Sequence, residues 1–441
     1  MSEPPDQRSD LSRRSLLKAG VGLGGIRIFR NWFHHLGQAE PSNKLGQANI
    51  SSSPQPKIVA RGKMPAKTHV VVIGAGAFGG WTALYLLRRN LRVTLVDSWG
   101  PGNSRASSGG ETRVIRGTYG PDQPYTKMAA RAIQLWKENQ QSWKMKLMHQ
   151  TGVLWMVTAG DDHFERNSMP ALREAAIPYQ ELSAKDMASR WPQINLEGVH
   201  WGIYEPEGGF LMARVACQAV LDGFLAEGGD YKQTAVAMGD LDNGSWESLT
   251  FSDGSKLQAD QYIFACGPWL GKMFPETIGN RVRSTRQEVF FFGTPAGDQR
   301  FSETNLPVWA DHRDRFMYGI PGNQGRGFKI ADDTRGPEFD PTSGERTVSA
   351  DGLKSVRDYI ALRFPALKNA PLLESRVCQY ENSPDNNFII DRHPKHQNVW
   401  LLGGGSGHGF KHGPALGDLV AGLVVENKSP DATFRLDRLG K

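Results

Sequence analysis

From His69 onward the chain falls into short apolar runs, some strand-like and some with helical spacing, divided by turns rich in glycine and proline. The first run, His69–Ile73, reads as a buried strand. It turns on Gly74-Ala75-Gly76-Ala77-Phe78-Gly79, a helix-like segment follows to about Asn90, and a second apolar strand, 93–96, ends on Asp97. Helical spacing returns at 128–143, where Ala130, Ile133, Leu135 and Trp136 are apolar, at 213–226 before Gly228-Gly229, and at 353–364. Strands are predicted at 152–158, 248–251, 261–265, 289–292, 316–320, 327–331 and 399–402. The run at 261–265 leads into Cys266-Gly267 and is expected at a sheet edge closing over a ligand. The strand at 399–402 runs into Gly403-Gly404-Gly405-Ser406-Gly407-His408-Gly409, and a helix starts near Pro414 with Leu416, Leu419, Val420 and Leu423 on its apolar face.

Strand, glycine turn, helix, strand and terminal acid fall within 68–97 at the distances of a dinucleotide-binding unit. Gly74 and Gly76 let backbone N–H groups close on a diphosphate at a helix N-terminus, Gly79 lets the helix lie on the strand, and Asp97 reaches a ribose hydroxyl. An ADP moiety is expected here. Dispersed α/β pieces returning to one sheet, with a β-rich insert, predict an α/β protein: a Rossmann-like nucleotide-binding domain interleaved with an α+β, antiparallel-sheet substrate domain. The boundaries read as 1–65 for an export signal and linker, 66–147, 208–272 and 373–441 for the nucleotide domain, and 148–207 and 273–372 for the substrate domain.

Composition changes this picture little. The 441 residues suffice for two sizeable cores, and a net charge of +6 spread without a dense Lys/Arg block gives no reason to expect nucleic acid. No apolar run reaches the roughly 18 residues of a membrane-crossing helix. The three cysteines, Cys217, Cys266 and Cys378, are too scattered for a disulfide framework or a zinc site, and no metal is expected. Cys266 reads as a small buried hydrophobe rather than a reactive thiol. The N-terminus adds more. Ser12-Arg13-Arg14-Ser15-Leu16-Leu17-Lys18, followed by the mildly hydrophobic stretch 19–26, resembles a twin-arginine export signal; a basic tail is the alternative, since Arg27 and Arg30 follow closely. Twin-arginine machinery is then a partner, with a periplasmic or extracellular location, or a cytoplasmic one if the signal does not function.

Candidate chemistry concentrates in two further stretches. In Glu111-Thr112-Arg113-Val114-Ile115-Arg116 the two arginines lie three apart and, on a helical turn, would present both guanidinium groups on one side. A solvated basic turn is the alternative. The second stretch, 375–411, joins a lone cysteine to the glycine turn before the last helix. Taken together the chain resembles the glycine-oxidase/D-amino-acid-oxidase flavoprotein superfamily, and within it the monomeric sarcosine oxidase and N-methyltryptophan oxidase branch. The resemblance rests on the 74–79 turn with Asp97, Thr112-Arg113-Val114-Ile115-Arg116 with Tyr119-Gly120, Tyr318, and Gly327-Phe328-Lys329. It continues through Cys378-Gln379-Tyr380, Ser383-Pro384-Asp385, Phe388-Ile389-Ile390-Asp391 with His393-Pro394, and Ser406-Gly407-His408-Gly409-Phe410-Lys411, spanning roughly 67–430.

That resemblance implies FAD, held extended along the first domain, with Gly405, Gly407 and Gly409 approaching it and Cys378 joined to the flavin 8α carbon through a thioether. It implies that Arg116 and Lys411 grip a substrate carboxylate, a strong arrangement for a guanidinium fork and an ammonium in a shielded pocket. Arg113 would stand beside the flavin. Lys329 would lie near its N5 and promote reaction of the reduced flavin with O₂, and Tyr318 would line the substrate pocket. One position departs. Four residues after the lysine, where that branch has histidine, this chain has Asp333, which suits a cationic amine or a hydroxyl and cannot copy an imidazole. The expected activity is oxidation of a secondary amine or N-alkylated amino acid to an imine, which hydrolyses to an amine plus an aldehyde or keto product, with H₂O₂ formed from O₂. The alternatives are a flavin dehydrogenase reducing a quinone or carrier protein, and a non-catalytic FAD-binding scaffold or assembly factor.

Overall fold

His69–Ile73 is buried at every position because parallel strands flank it on both sides: Arg92–Asp97 on one and Gln261–Phe264 on the other. A strand enclosed in this way reads as a continuous apolar run. The computed structural model describes residues 67–440, apart from 159, 238, 245, 313 and 314; the arginine-bearing segment at 12–18 and the polar stretch to 65 lie outside the described residues. Among the described residues the first sheet has six strands, in the order Ile389–Arg392, Val399–Gly403, Gln261–Phe264, His69–Ile73, Arg92–Asp97 and Asp230–Gln233. Helix Ala77–Arg88 packs on this sheet and against the helices Ala213–Ala226 and Gly413–Glu426. Trp81, Leu84, Val220 and Leu416 meet Val72 and Ile263 in that core.

A second sheet of eight strands runs Leu372–Asn382, Arg283–Phe292, Phe328–Asp332, Phe316–Ile320, Val308–His312, Val153–Thr158, Val199–Glu205 and Gln180–Ser183. Its pairs are antiparallel except Val308–His312 with Val153–Thr158. Two small antiparallel sheets are added, one of Thr112–Ile115, Gly209–Met212 and Met148–His149, the other of Leu249–Thr250 and Lys256–Leu257. None of the helices among the described residues is long and apolar enough to cross a membrane.

Three expectations change. The strand at 261–264 lies inside the first sheet, paired on both edges, and is not a sheet edge. Arg113 sits on an extended strand and Arg116 just beyond its end, so a helical turn does not align them. The segment from 373 on begins as a strand of the eight-stranded sheet, Leu372–Asn382, hydrogen-bonded along its length to Arg283–Phe292, so this stretch does not belong to the first sheet.

Candidate active site

The glycine turn opens a cleft. A Cβ at Gly79 would stand 1.9 Å from the carbonyl oxygen of Gly74, so only glycine lets the helix approach the strand this closely. The helix starts at Gly76 without a side-chain cap of its own, and Ser108 Oγ accepts from the Ala77 N–H at 3.0 Å. This N-terminus faces a cavity of about 380 Å³ lined by Gly74, Gly76, Asp97, Trp99, Gly405 and Gly409. Asp97 accepts from the backbone N–H groups of Ala75 at 2.8 Å, Trp99 at 2.9 Å and Gly100 at 2.8 Å, tying the turn to the loop that follows. Burial pushes its carboxyl pKa upward against those bonds. Cys266 also lines this cleft; burial drives its thiol well up, which leaves it inert as expected.

Sequence reasoning missed Glu381. Its carboxylate reaches into the same cleft, accepts from the Gly404 N–H at 3.0 Å, and is pushed by burial up to about 7. Nothing in the sequence separates it from a solvated carboxylate, because only the tertiary fold closes the glycine turn over it.

A second cavity of about 310 Å³ shares Arg113, Tyr380, Gly407 and Phe410 with the first, so the two form one path. Its floor is one face of the eight-stranded sheet. Side chains alternate along a strand, and Lys329, Ala331 and Asp333 line the cavity from one strand and its end, Phe316 and Tyr318 from the next, and Cys378 and Tyr380 from the outermost. Gly407, at φ +80°, closes the roof: a Cβ there would stand 2.7 Å from the Tyr380 ring.

Six Arg and Lys side chains line this space, and four of them, Arg113, Lys329, Arg116 and Lys411, surround its inner end. Arg113 donates to the carbonyls of Ser107 at 2.6 Å and Thr112 at 2.9 Å, and its Nη2 lies 3.5 Å from Cys378 Sγ. Lys329 Nζ donates to the Thr112 carbonyl at 3.0 Å and hydroxyl at 3.3 Å. Burial first, and Arg113 second, hold its ammonium down to about 7. In the far corner Arg116 lies between two aromatic faces, 4.6 Å from the Tyr119 ring centre and 4.8 Å from that of Trp155, and donates to the Thr118 carbonyl. Lys411 Nζ donates to the Tyr119 hydroxyl and the His408 carbonyl, both at 2.8 Å. Burial, then Arg116, hold Lys411 well below its ordinary value. Two basic side chains thus share one buried corner, an arrangement whose chemistry suits an anion.

Tyr119 links these groups: its hydroxyl also lies 2.7 Å from His412 Nε2 and 3.3 Å from His408 Nδ1. Both imidazoles are held low by burial and by Lys411, His408 at about 3, so they are neutral at physiological pH. Asp333 faces the same corner, its Oδ1 accepting from the Tyr380 hydroxyl at 2.5 Å. Thus Arg113, Arg116, Tyr318, Lys329, Asp333, Cys378 and Lys411 meet at one cavity, while Gly74, Gly76 and Asp97 line the other with Gly405 and Gly409, and Gly407 borders both. The uncapped helix start, the clefts bounded by glycines, and the cationic end suit an extended dinucleotide that carries a flat ring.

Comparison with known proteins agrees with this geometry. The family model described as FAD dependent oxidoreductase (DAO) matches residues 69–423. Over 368 residues the chain is 30% identical to a monomeric sarcosine oxidase of Bacillus sp. (strain B-0618), covering 82% of this chain and 93% of that one. It is 29% identical over 392 residues to the N-methyl-L-tryptophan oxidase of Salmonella dublin, covering 85% and 100%. Among solved structures, L-proline dehydrogenase from P. horikoshii shares the fold with a TM-score of 0.72 at 21% identity, covering 85% of this chain and 98% of that one.

Proposed function

Starting from the fact that the chain belongs to the DAO family of FAD-dependent oxidoreductases, we propose that it is an oxidase of a secondary amine, in particular an N-alkylated amino acid. The product would be an imine, which hydrolyses in water to an amine plus an aldehyde or keto compound. The observation that carries this reading is the joining of Arg116 and Lys411 through Tyr119 in the cavity that also holds Lys329 and Cys378. FAD, when bound, supplies the acceptor for two electrons and one hydrogen from the carbon beside nitrogen, and returns the electrons to O₂ as H₂O₂.

Every other role falls to the chain. Gly74, Gly76, Gly79 and Asp97 would hold the adenylate half, and Arg113 with Gly405, Gly407 and Gly409 the flavin half. Arg116 and Lys411 bind and orient the substrate carboxylate, and Phe316, Tyr318 and Val308 exclude water from the amine. Lys329, while protonated, would supply a buried positive charge able to stabilise negative charge on oxygen. Cys378, on the floor of the cavity next to Arg113, would carry the flavin as a thioether. Segment 12–18 supports export in folded, loaded form, which fractionation of cells producing the full chain tests.

The decisive experiment is an anaerobic screen of N-methyl and cyclic amino acids for bleaching of the bound flavin, with H₂O₂ then counted on admission of air. Bleaching without H₂O₂, together with fast dye reduction, would make the protein a dehydrogenase. Bleaching by no amine would end the enzymatic reading. In parallel, the mass of the denatured, acid-washed chain should include FAD, and that of Cys378→Ser should not.

A further inference from the structure

Resting on the carboxylate-oxidase reading above, we propose that Asp333 holds the ammonium group of a dipolar N-substituted amino acid and takes its proton, selecting substrates that carry both charges. Asp333 follows the last residue of the strand Phe328–Asp332 and continues its cavity-facing register, on one side with Lys329 and Ala331. Its N–H is fixed on the Phe316 carbonyl at 2.8 Å, and the Tyr380 hydroxyl fixes Oδ1. Oδ2 makes no hydrogen bond to any described residue. The other acids at this cavity are engaged elsewhere: Glu111 by Arg376 at 2.7 Å, and Asp332 by Arg315 at 2.8 Å. Among the described residues lining the cavity, Asp333 is therefore the carboxylate left to face the corner of Arg116 and Lys411.

The groups around Asp333 come from every neighbouring element. Arg116 lies beyond the end of Thr112–Ile115, Lys411 comes from the turn Phe410–His412, Tyr318 and Tyr380 from the adjoining sheet strands, and Asp332 from its own strand. Burial pushes the Asp333 carboxyl up to about 6, opposed by the Tyr380 bond, Arg116 and Lys411. It is thus an anion in the neutral range and a proton acceptor within reach of physiological pH.

The chemistry needs such a group. A secondary amino acid reaches the protein as an ammonium, and its nitrogen has no free electron pair until a proton leaves. In the step proposed, one N–H bond breaks, its electron pair stays on nitrogen, and an O–H bond forms on Asp333. Ammonium and carboxylate become amine and carboxylic acid, with no electrons gained or lost and no co-reactant. Two opposite charges in a dry cavity give way to two neutral groups, a change that low-dielectric surroundings favour. Oxidation of the neutral amine then draws on the flavin as above.

Two probes test this on the holoenzyme through the visible flavin spectrum, mixed anaerobically and read before any bleaching. N,N-dimethylglycine carries both charges; methylthioacetate keeps the carboxylate but has a thioether in place of the amine. Arg116 and Lys411 meet the carboxylate that both probes carry, so the ratio of their affinities reports on the ammonium, and Lys329, which loses its charge near pH 7, adds a separate change there. Above about pH 6 the ionised Asp333 attracts the ammonium and repels the thioether carboxylate, so dimethylglycine should gain on methylthioacetate as pH rises through that value. Asp333→Asn should weaken dimethylglycine by about 30-fold or more, as expected for a buried charge that loses its partner. The same variant should bind methylthioacetate unchanged or tighter, and should remove the change in the ratio near pH 6 while keeping the one that Lys329 causes near 7. Asp333→Glu should restore the preference in part. Equal weakening of both probes by Asp333→Asn, or a ratio that still changes near pH 6 in that variant, overturns this proposal alone. Failure of methylthioacetate to bind the wild-type protein overturns the carboxylate-oxidase reading, and this proposal with it.

Discussion

Lys329 shows how a single side chain acquires a function from its surroundings. It is 2% exposed, tied twice to Thr112, and its ammonium is held down to about 7 by burial and Arg113. Below that pH it is a cation and above it neutral, so any step that uses the charge must slow as pH rises through about 7. Lys329→Met should lower the rate of flavin reoxidation by O₂ about 10²–10³-fold, the usual loss when one preorganised donor at a developing charge is removed. It should also abolish that pH dependence while leaving anaerobic bleaching by substrate close to wild type. Stopped-flow oxidation across pH 6–8 reads both, and unchanged oxygen reactivity would remove Lys329 from this role. Lys329, Arg116 and Lys411 were singled out in the sequence through the family resemblance of the short motifs that carry them, and the structure brings all three to one cavity. Tyr119 was legible only as part of a motif; its hydroxyl bonds to Lys411 and His412 arise from a contact 293 residues distant in the chain.

At the scale of elements, strands expected at 316–320 and 327–331 form as Phe316–Ile320 and Phe328–Asp332, and the alternation of side chains along them carries Phe316, Tyr318, Lys329 and Ala331 into the cavity. What the pattern could not show was how the chain leaves Thr112–Ile115. The two arginines invited a helical reading because local spacing fits either geometry; pairing with Gly209–Met212 settled it as a strand. The turn after Arg116 is then shaped by Glu205, from the end of Val199–Glu205, whose carboxylate accepts from Gly117 N–H at 2.6 Å, Thr118 N–H at 3.1 Å and the Thr118 hydroxyl at 2.5 Å. Glu205 is a positioning residue: it makes the turn that aims Arg116. Glu205→Ala strands three buried donors, and should cost about 4–5 kcal/mol in stability, the low end of three hydrogen bonds to a charged group at about 1.5–3 kcal/mol each. It should raise KM for carboxylated substrates far more than it lowers kcat. Urea unfolding together with steady-state kinetics checks the pair, and an unchanged KM would show that Arg116 holds its place without the turn.

Across the whole molecule, the cavity depends on a layer behind its floor. The overall architecture, a mostly parallel sheet with a mostly antiparallel partner, followed from the order of apolar runs; the buried polar ties that brace the partner did not, since each charge reads as solvated in isolation. Asp311 is the clearest case. Its neighbour Ala310 lines the cavity, so alternation turns Asp311 to the opposite face, against helix Ala350–Arg363. There Oδ2 accepts from Arg363 Nη2 at 2.7 Å and Nε at 3.0 Å and from the Tyr359 hydroxyl at 2.8 Å, with both members of the pair at 0% exposure. Arg363 also donates to the carbonyls of Asn195 at 2.5 Å and Glu197 at 3.2 Å, so one guanidinium joins a strand, a helix and a loop. Removing one member leaves the other charge buried and unpaired, whereas removing both replaces an ion pair with apolar packing. Arg363→Met should therefore destabilise the protein by about 3–5 kcal/mol and loosen substrate binding from behind the floor. Adding Asp311→Leu should recover most of that loss, and the double-mutant cycle of urea midpoints measures it. If the double variant is as unstable as Arg363→Met alone, the stability lies in the ties to Asn195 and Glu197 and not in the ion pair.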